Sequence, residues 1–265
     1  MRMGTGGAAV AVTLLMVLSP MAAAASHTFK PPYAKTATAL YTQLAFGGCG
    51  TASQTVPVNW SATTGVMIAS GKTSTKSCTN QVGGVGGSSY GEYVAEALIG
   101  MPIKVTTTAL HSVNVSWNVH ATTSSSFTAG TCYLGSTSSS FFYCESIALW
   151  EVFGQASVVD NTNGSVFYSS NSFFAYNESY NQTFWFGSWS NSSGVFGFGA
   201  FGAQTLFINA SLVAGHSYSV VTYIEVIAES ALEAYNAAVK GGSASASVNM
   251  GSGTNKATLT SIVVN

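Results

Sequence analysis

The side chains able to do acid–base or metal chemistry are few: eight Glu, one Asp and four His in 265 residues. Glycoside hydrolysis needs two carboxylates flanking one bond. Glu92 and Glu96 stand four apart beside a Gly-rich stretch, and Glu145 and Glu151 six apart in a strand-like segment. Even spacing puts the second pair on one strand face but about 20 Å apart at ~3.3 Å per residue, too far to share a substrate bond. Glu225, Glu229 and Glu233 would align as a stripe on a helix, where a solvated face accounts for them. A Ser–His–Asp triad has a single available Asp, Asp160, and Phe186-Gly-Ser-Trp-Ser190 lacks the closing Gly of a nucleophile elbow. His111 and His120, nine residues apart, face opposite sides of a regular strand, and His216 sits in a turn. One Asp cannot supply a calcium loop, and no Cys-x-x-Cys pair joins the scattered His in a zinc site. The expectation is a chain with no catalytic residues, no metal and no cofactor.

Aromatic residues have more functional room. Tyr180-Asn-Gln-Thr-Phe-Trp185-Phe-Gly-Ser-Trp189 places Trp185 and Trp189 on one face of an extended segment among glycosylatable Asn. Exposed Trp and Tyr beside Asn, Gln and Ser make a platform for sugar rings or a partner hot spot. The competing reading packs both Trp between sheets. The run Gly194-Val-Phe-Gly-Phe-Gly-Ala-Phe-Gly202 alternates Gly and Phe, which suits close packing against another sheet or chain.

Period-two patterning must position these residues. Val113, Val115, Trp117 and Val119 alternate with Asn114, Ser116, Asn118 and His120, a half-buried strand. Short runs around Ile147–Phe153, Val166–Tyr168, Phe173–Tyr176, Thr183–Phe186 and Leu206–Ile208 follow between Asn/Gly/Ser turns. Ser243–Met250 and Ala257–Val264 close the chain in the same way. This rhythm predicts an all-β fold, an antiparallel β-sandwich. The exception is Ala228–Gly242, whose Ala content and closing Lys240-Gly241 read equally as a short helix over 229–240 or as a continuing strand. Gly83–Gly91 reads as a flexible loop. It lacks the Lys-Ser/Thr and strand-to-helix context of a phosphate cradle.

Composition narrows the partners. Only 6% of residues are charged and 47% are hydrophobic, against about 25% charged in an average domain. The one Arg, Arg2, lies near the N-terminus, which leaves no bidentate phosphate clamp and argues against nucleic acid. Met1-Arg2-Met3, an apolar run from Ala8 to Leu18 and small residues up to Ser26 form a secretory signal over 1–25, with cleavage after Ala25. An uncleaved anchor helix is the alternative. No later window reads as a membrane span, since Val220–Tyr235 carries three Glu. The expected location is extracellular, in solution or at a cell surface.

Cys49, Cys78, Cys132 and Cys144 then fall in an oxidising compartment. Of three possible connectivities, the sequential one, Cys49–Cys78 and Cys132–Cys144, is favoured, because the second pair brackets two strand ends around a Gly/Ser turn. Each closure would stabilise by roughly 3 kcal/mol in the chain-entropy picture. Seven Asn-x-Ser/Thr sequons occur, at Asn59, Asn114, Asn163, Asn177, Asn181, Asn191 and Asn209. With 38 Ser and 28 Thr each sequon alone means little, yet the cluster from Asn163 to Asn191 marks a glycan-covered flank. Residues 26–46 read as an extended arm. Residues 47–265 read as one large sandwich domain, or two packed sub-sandwiches.

Thr205–Val221 has the form strand, Leu212-Val-Ala-Gly215-His-Ser-Tyr218, strand. It resembles the corner of fibronectin-type-III and related immunoglobulin-like sandwiches, and also the late strands of secreted jelly-roll domains. The resemblance covers about 60 residues, Thr205 to Val264. It implies Leu212 as a core plug, Gly215 as a turn residue and Tyr218 as a corner tyrosine bonding back to the backbone. It implies no activity. No Cys falls on the strand after Tyr218, which departs from the antibody-domain pattern.

Three functions fit. The first is a secreted, N-glycosylated structural or adhesive protein without catalysis, meeting surface glycans or proteins; in a variant of it the arm 26–46 adds as a strand to the next copy. The second is a carbohydrate-binding module using Trp185, Trp189 and Tyr180. The third is a secreted hydrolase with an unrecognised site. The scarcity of carboxylates also predicts weak dependence of stability on pH, suited to an acidic exterior.

Overall fold

The computed structural model describes residues 26–33, 37–46, 50–76, 88–134, 142–185, 189–199, 201–235 and 237–265. The signal segment 1–25 and the Cys49–Cys78 pair lie outside the described residues. In chain order the strands are β1 (His27–Phe29), β2 (Ala37–Phe46), β3 (Gly50–Ser61), β4 (Val66–Lys76), β5 (Ser88–Met101), β6 (Ala109–Val119), β7 (Thr122–Thr128) and β8 (Thr131–Leu134). There follow β9 (Phe142–Asp160), β10 (Val166–Tyr168), β11 (Phe173–Trp185), β12 (Trp189–Phe198), β13 (Gly202–Leu212), β14 (Tyr218–Tyr235), β15 (Ala237–Lys240), β16 (Ser243–Met250) and β17 (Ala257–Val264).

Two antiparallel sheets pack face to face as a β-sandwich. One runs β13-β6-β17-β4-β16-β7, with β1 on β17 and β3 on β4; the other runs β12-β11-β9-β14-β5-β2, with β10 on β9. Strand alternation sorts each sequence into an inward and an outward set. Tyr93, Ala95, Ala97 and Ile99 of β5 and Val220, Ile224 and Val226 of β14 face Val113, Val115 and Trp117 of β6 and Leu206 and Ile208 of β13 in one continuous core. Gly71 of β4 admits a large ring here, since a Cβ on it would lie 1.7 Å from Cε2 of Tyr93.

At one end the interlayer is polar. The Thr75 hydroxyl lies 2.9 Å from the Ser230 carbonyl, 3.0 Å from the Ser230 hydroxyl and 3.3 Å from that of Ser89. Ser125 of β7 donates to Asn177 of β11 at 2.8 Å and meets Ser179 at 3.2 Å. Short hydroxyl side chains therefore close the seam where the apolar core ends, satisfying polar groups that burial would otherwise penalise.

Three expectations need correction. The described residues of 229–240 form no helix: β14 runs to Tyr235 and β15 follows at Ala237. A spacing of four between Glu225, Glu229 and Glu233 suits period 2 as well as 3.6, and β14 is laddered along its whole length to β9, so pairing overrides Ala propensity. The segment 26–46, read as an extended arm, contributes to both sheets, β1 pairing with β17 and β2 with β5. Tyr33, buried between them in sequence, donates its hydroxyl to the Leu259 carbonyl at 3.2 Å. The end of the Gly-rich stretch, Ser88–Gly91, belongs to β5. Hydroxyl-rich and Gly-rich sequence thus joins the sheets wherever a neighbour offers backbone partners.

Candidate functional site

All eight glutamates stand on the outward face of the β12-β11-β9-β14-β5-β2 sheet. Glu92 and Glu96 come from β5, Glu145 and Glu151 from β9, Glu178 from β11, and Glu225, Glu229 and Glu233 from β14. Register fixes this placement. Ile227 of β14 lies abreast of Glu92 on one side and Glu151 on the other, and Glu151 abreast of Tyr176. In the next row Tyr90, Glu229, Leu149 and Glu178 run across four strands. Directly opposed residues in an antiparallel pair share a face, so acids, tyrosines and aliphatic side chains tile one surface.

Each of the four central strands contributes one Tyr-x-Glu: Tyr90-Gly-Glu92, Tyr143-Cys-Glu145, Tyr176-Asn-Glu178 and Tyr223-Ile-Glu225. Two residues apart on a strand, ring and carboxylate project from the same face. The Tyr90 hydroxyl donates to Glu92 at 3.2 Å, and Tyr143 and Tyr176 donate to Glu145 and Glu178. Gln182 donates to the other oxygen of Glu145, and Tyr223 to Gln155 at 3.0 Å.

The face is half-buried and crowded with like charge, so it resists ionisation. Burial first, then Glu92 and Glu151, push Glu225 up to about 6. Burial also raises Glu151, Glu229 and Glu233, the last two helped by neighbouring carboxylates. Burial and the adjacent Glu raise the phenols of Tyr90, Tyr143 and Tyr176 as well. Among the described residues no three His, Cys, Asp or Glu side chains converge to hold a metal ion. The arrangement is an acidic surface extended over four strands.

Asp160 stands apart from that face and is 1% exposed. Its Oδ2 lies 2.6 Å from His216 Nδ1, and the Thr162 amide donates to its Oδ1 at 2.9 Å. Burial opposes its ionisation, but the bonds from His216 and the Thr162 and Asn163 amides prevail and hold the carboxyl below its ordinary value. Among the described residues no serine hydroxyl is bonded to His216. Asn161 and Ser217 complete the brace, the Asn161 amide donating to the Ser217 carbonyl at 2.9 Å. The pair ties the 160–164 turn to the corner before β14.

That corner holds the residues singled out by resemblance. Leu212 is fully buried, Gly215 has φ +81°, and the Tyr218 hydroxyl receives the Val213 amide and sits 3.3 Å from the Val213 carbonyl. Cys132 and Cys144 form a disulfide with Cα atoms 5.9 Å apart. Trp185 and Trp189 belong to different strands and are register partners across the β11–β12 hairpin. Tyr180 pairs with Ile147 and Gly194. Tyr180 stands five positions before Trp185 on β11.

The sequons also sort by face. Asn59, Asn114 and Asn209 lie on β3, β6 and β13 of the sheet that carries no Glu, and Asn163 lies in the turn after β9. Asn177, Asn181 and Asn191 occupy the inward register of the β11–β12 hairpin, alternating with Glu178, Tyr180 and Gln182. None of the seven occupies the glutamate face. Local reasoning missed this face because its members are spread from Tyr90 to Glu233; the repeated Tyr-x-Glu was the available signal. The chain matches no family model, no curated protein and no solved structure.

Proposed function

We propose that the chain is a secreted, N-glycosylated β-sandwich protein that acts by presenting a surface, in a structural or adhesive role, and not by catalysis. One observation carries the reading: the chain's glutamates are spread across four adjacent strands of one sheet face and not gathered around one point. Extended faces suit other macromolecules, whereas catalysis on small molecules favours concave sites. The Cys132–Cys144 disulfide supports an oxidising compartment.

Expression of the full chain in a secreting host tests the reading. The expected product is extracellular, begins at Ser26 by mass spectrometry and shifts in mobility after deglycosylation. A cell-retained product with Met1 intact and no glycan would reject it.

A further inference from the structure

The strands of the glutamate-bearing sheet, β2, β5, β9, β10, β11, β12 and β14, contain no Lys, Arg or His. Its eight carboxylates therefore have no cation within their own sheet. Of the described lysines, Lys72 and Lys76 lie on β4 of the opposite sheet, Lys240 ends β15, which pairs with β8, and Lys30, Lys104 and Lys256 lie in connecting segments. The one ion pair among the described residues is His216–Asp160, away from this face. Partly desolvated like charges without counter-charges are held at a cost, which a cationic partner would remove.

The rest of the surface suits the same partner. Tyrosine rings beside each acid offer faces to guanidinium and ammonium groups. Val94, Ile147, Leu149 and Ile227 lie between them in register and offer apolar ground for lysine and arginine stems. Four strands at ~4.8 Å spacing over nine residues give about 600 Å², and the flanking β2 and β12 bring it to about 900 Å². That meets the ~800 Å² per partner of a standard protein interface. No sequon falls on this face, while three lie on the strands of the opposite sheet.

We propose that the outward face of the β12-β11-β9-β14-β5-β2 sheet is a docking surface for a Lys- and Arg-rich polypeptide partner, with the opposite sheet and its Asn59, Asn114 and Asn209 turned away. The charge argument stands on the structure alone; the part played by glycans rests on the extracellular reading above. A second copy docked through the same face would set eight carboxylates against eight at neutral pH.

The test uses the secreted glycoprotein and immobilised poly-L-lysine, with poly-L-glutamate as blank. The combined variant Glu92→Gln, Glu151→Gln, Glu225→Gln and Glu229→Gln removes half the charge at nearly constant shape. A second variant adds Ser53→Glu, Ser124→Glu, Ser126→Glu and Thr128→Glu on the exposed edge of the other sheet, restoring net charge. Wild type is expected to bind with steep salt dependence, and both variants at least ~10-fold more weakly, about 1.4 kcal/mol. Recovery of binding in the charge-restored variant would overturn the proposal in favour of net charge alone. Undiminished binding by the glutamine variant would overturn it too, as would wild-type dimers at pH 7 that bury this face. Carbodiimide footprinting of unmutated protein avoids any folding question: poly-L-lysine should protect Glu92, Glu151, Glu225 and Glu229, and equal labelling with and without it would sink the idea. An intracellular, unglycosylated chain that still docks would separate the failure of the extracellular reading from that of the surface.

Discussion

Glu145 and Glu233 are register partners across the β9–β14 ladder, two carboxylate residues directly abreast on a half-buried face. Glu145 takes hydrogen bonds from Tyr143 and Gln182. Burial and the Glu145 charge push Glu233 up. Like charges directly opposed destabilise a sheet by about 0.2–1 kcal/mol. Glu233→Gln should therefore raise Tm at pH 7 by roughly 1–3 °C. At pH 3, well below both the ordinary value of 4.5 and the raised folded one, the difference should vanish. A lower Tm for the variant at pH 7 would show that the pair is not repulsive.

Stability should rise on acidification and then fall. Glu225 titrates near 6 in the fold against an ordinary value of 4.5. A raised group contributes stability that is full below 4.5 and lost as pH climbs through 6. Glu151, Glu229 and Glu233 act in the same direction. Asp160 acts in the opposite sense, its contribution present above 3.8 and lost as pH drops through its depressed folded value. Discounted for solvent screening, Glu225 alone accounts for about 1 kcal/mol, or 2–4 °C. Thermal melts should peak between pH 4 and 5, and a Tm that falls steadily from pH 7 to 4.5 would contradict the assigned shifts. The scarcity of carboxylates thus predicts a weak pH dependence, and their crowding on one face gives it a sign.

Gly71→Ala should be far more damaging than Gly253→Ala. At Gly71 the new methyl would run into the ring of the fully buried Tyr93, an overpacking cost of about 2–3 kcal/mol. Gly253 has φ +60° and open space around it, so substitution there costs only the left-handed strain of ~1–2 kcal/mol. Chemical denaturation of both variants checks the order.

Glycan occupancy should follow exposure. Asn59, Asn163 and Asn209 are exposed. Asn177 is held by Ser125 and its Nδ2 lies 2.8 Å from where a Cβ of Gly197 would be. Glycopeptide mass spectrometry is expected to find sugar at the first three and none at Asn177. Full occupancy of Asn177 would mean that β11 and β7 are not packed as described.

Strand identity was readable from local pattern, and strand partnership was not. The alternation through Val113–Val119 and the bounds of Ser243–Met250 and Ala257–Val264 coincide with β6, β16 and β17, because side-chain period alone decides which face is buried. The disulfide bracketing of a turn by Cys132 and Cys144 is equally local. The glutamate face depends on pairings such as Glu229 with Tyr90, residues 139 apart in sequence, which no window contains. Ala228–Tyr235 misled for the same reason: its propensity is helical, and only the distant β9 makes it a strand.

The hydroxyl seam of Thr75, Ser89 and Ser230 bears on heat capacity. Unfolding exposes apolar surface that raises heat capacity and polar surface that lowers it. A sandwich whose sheets meet partly through buried hydroxyls exposes more of the second kind than an all-aliphatic interlayer of equal area. Its stability curve should be correspondingly shallow, so that the fold loses little on cooling and yields only gradually on warming.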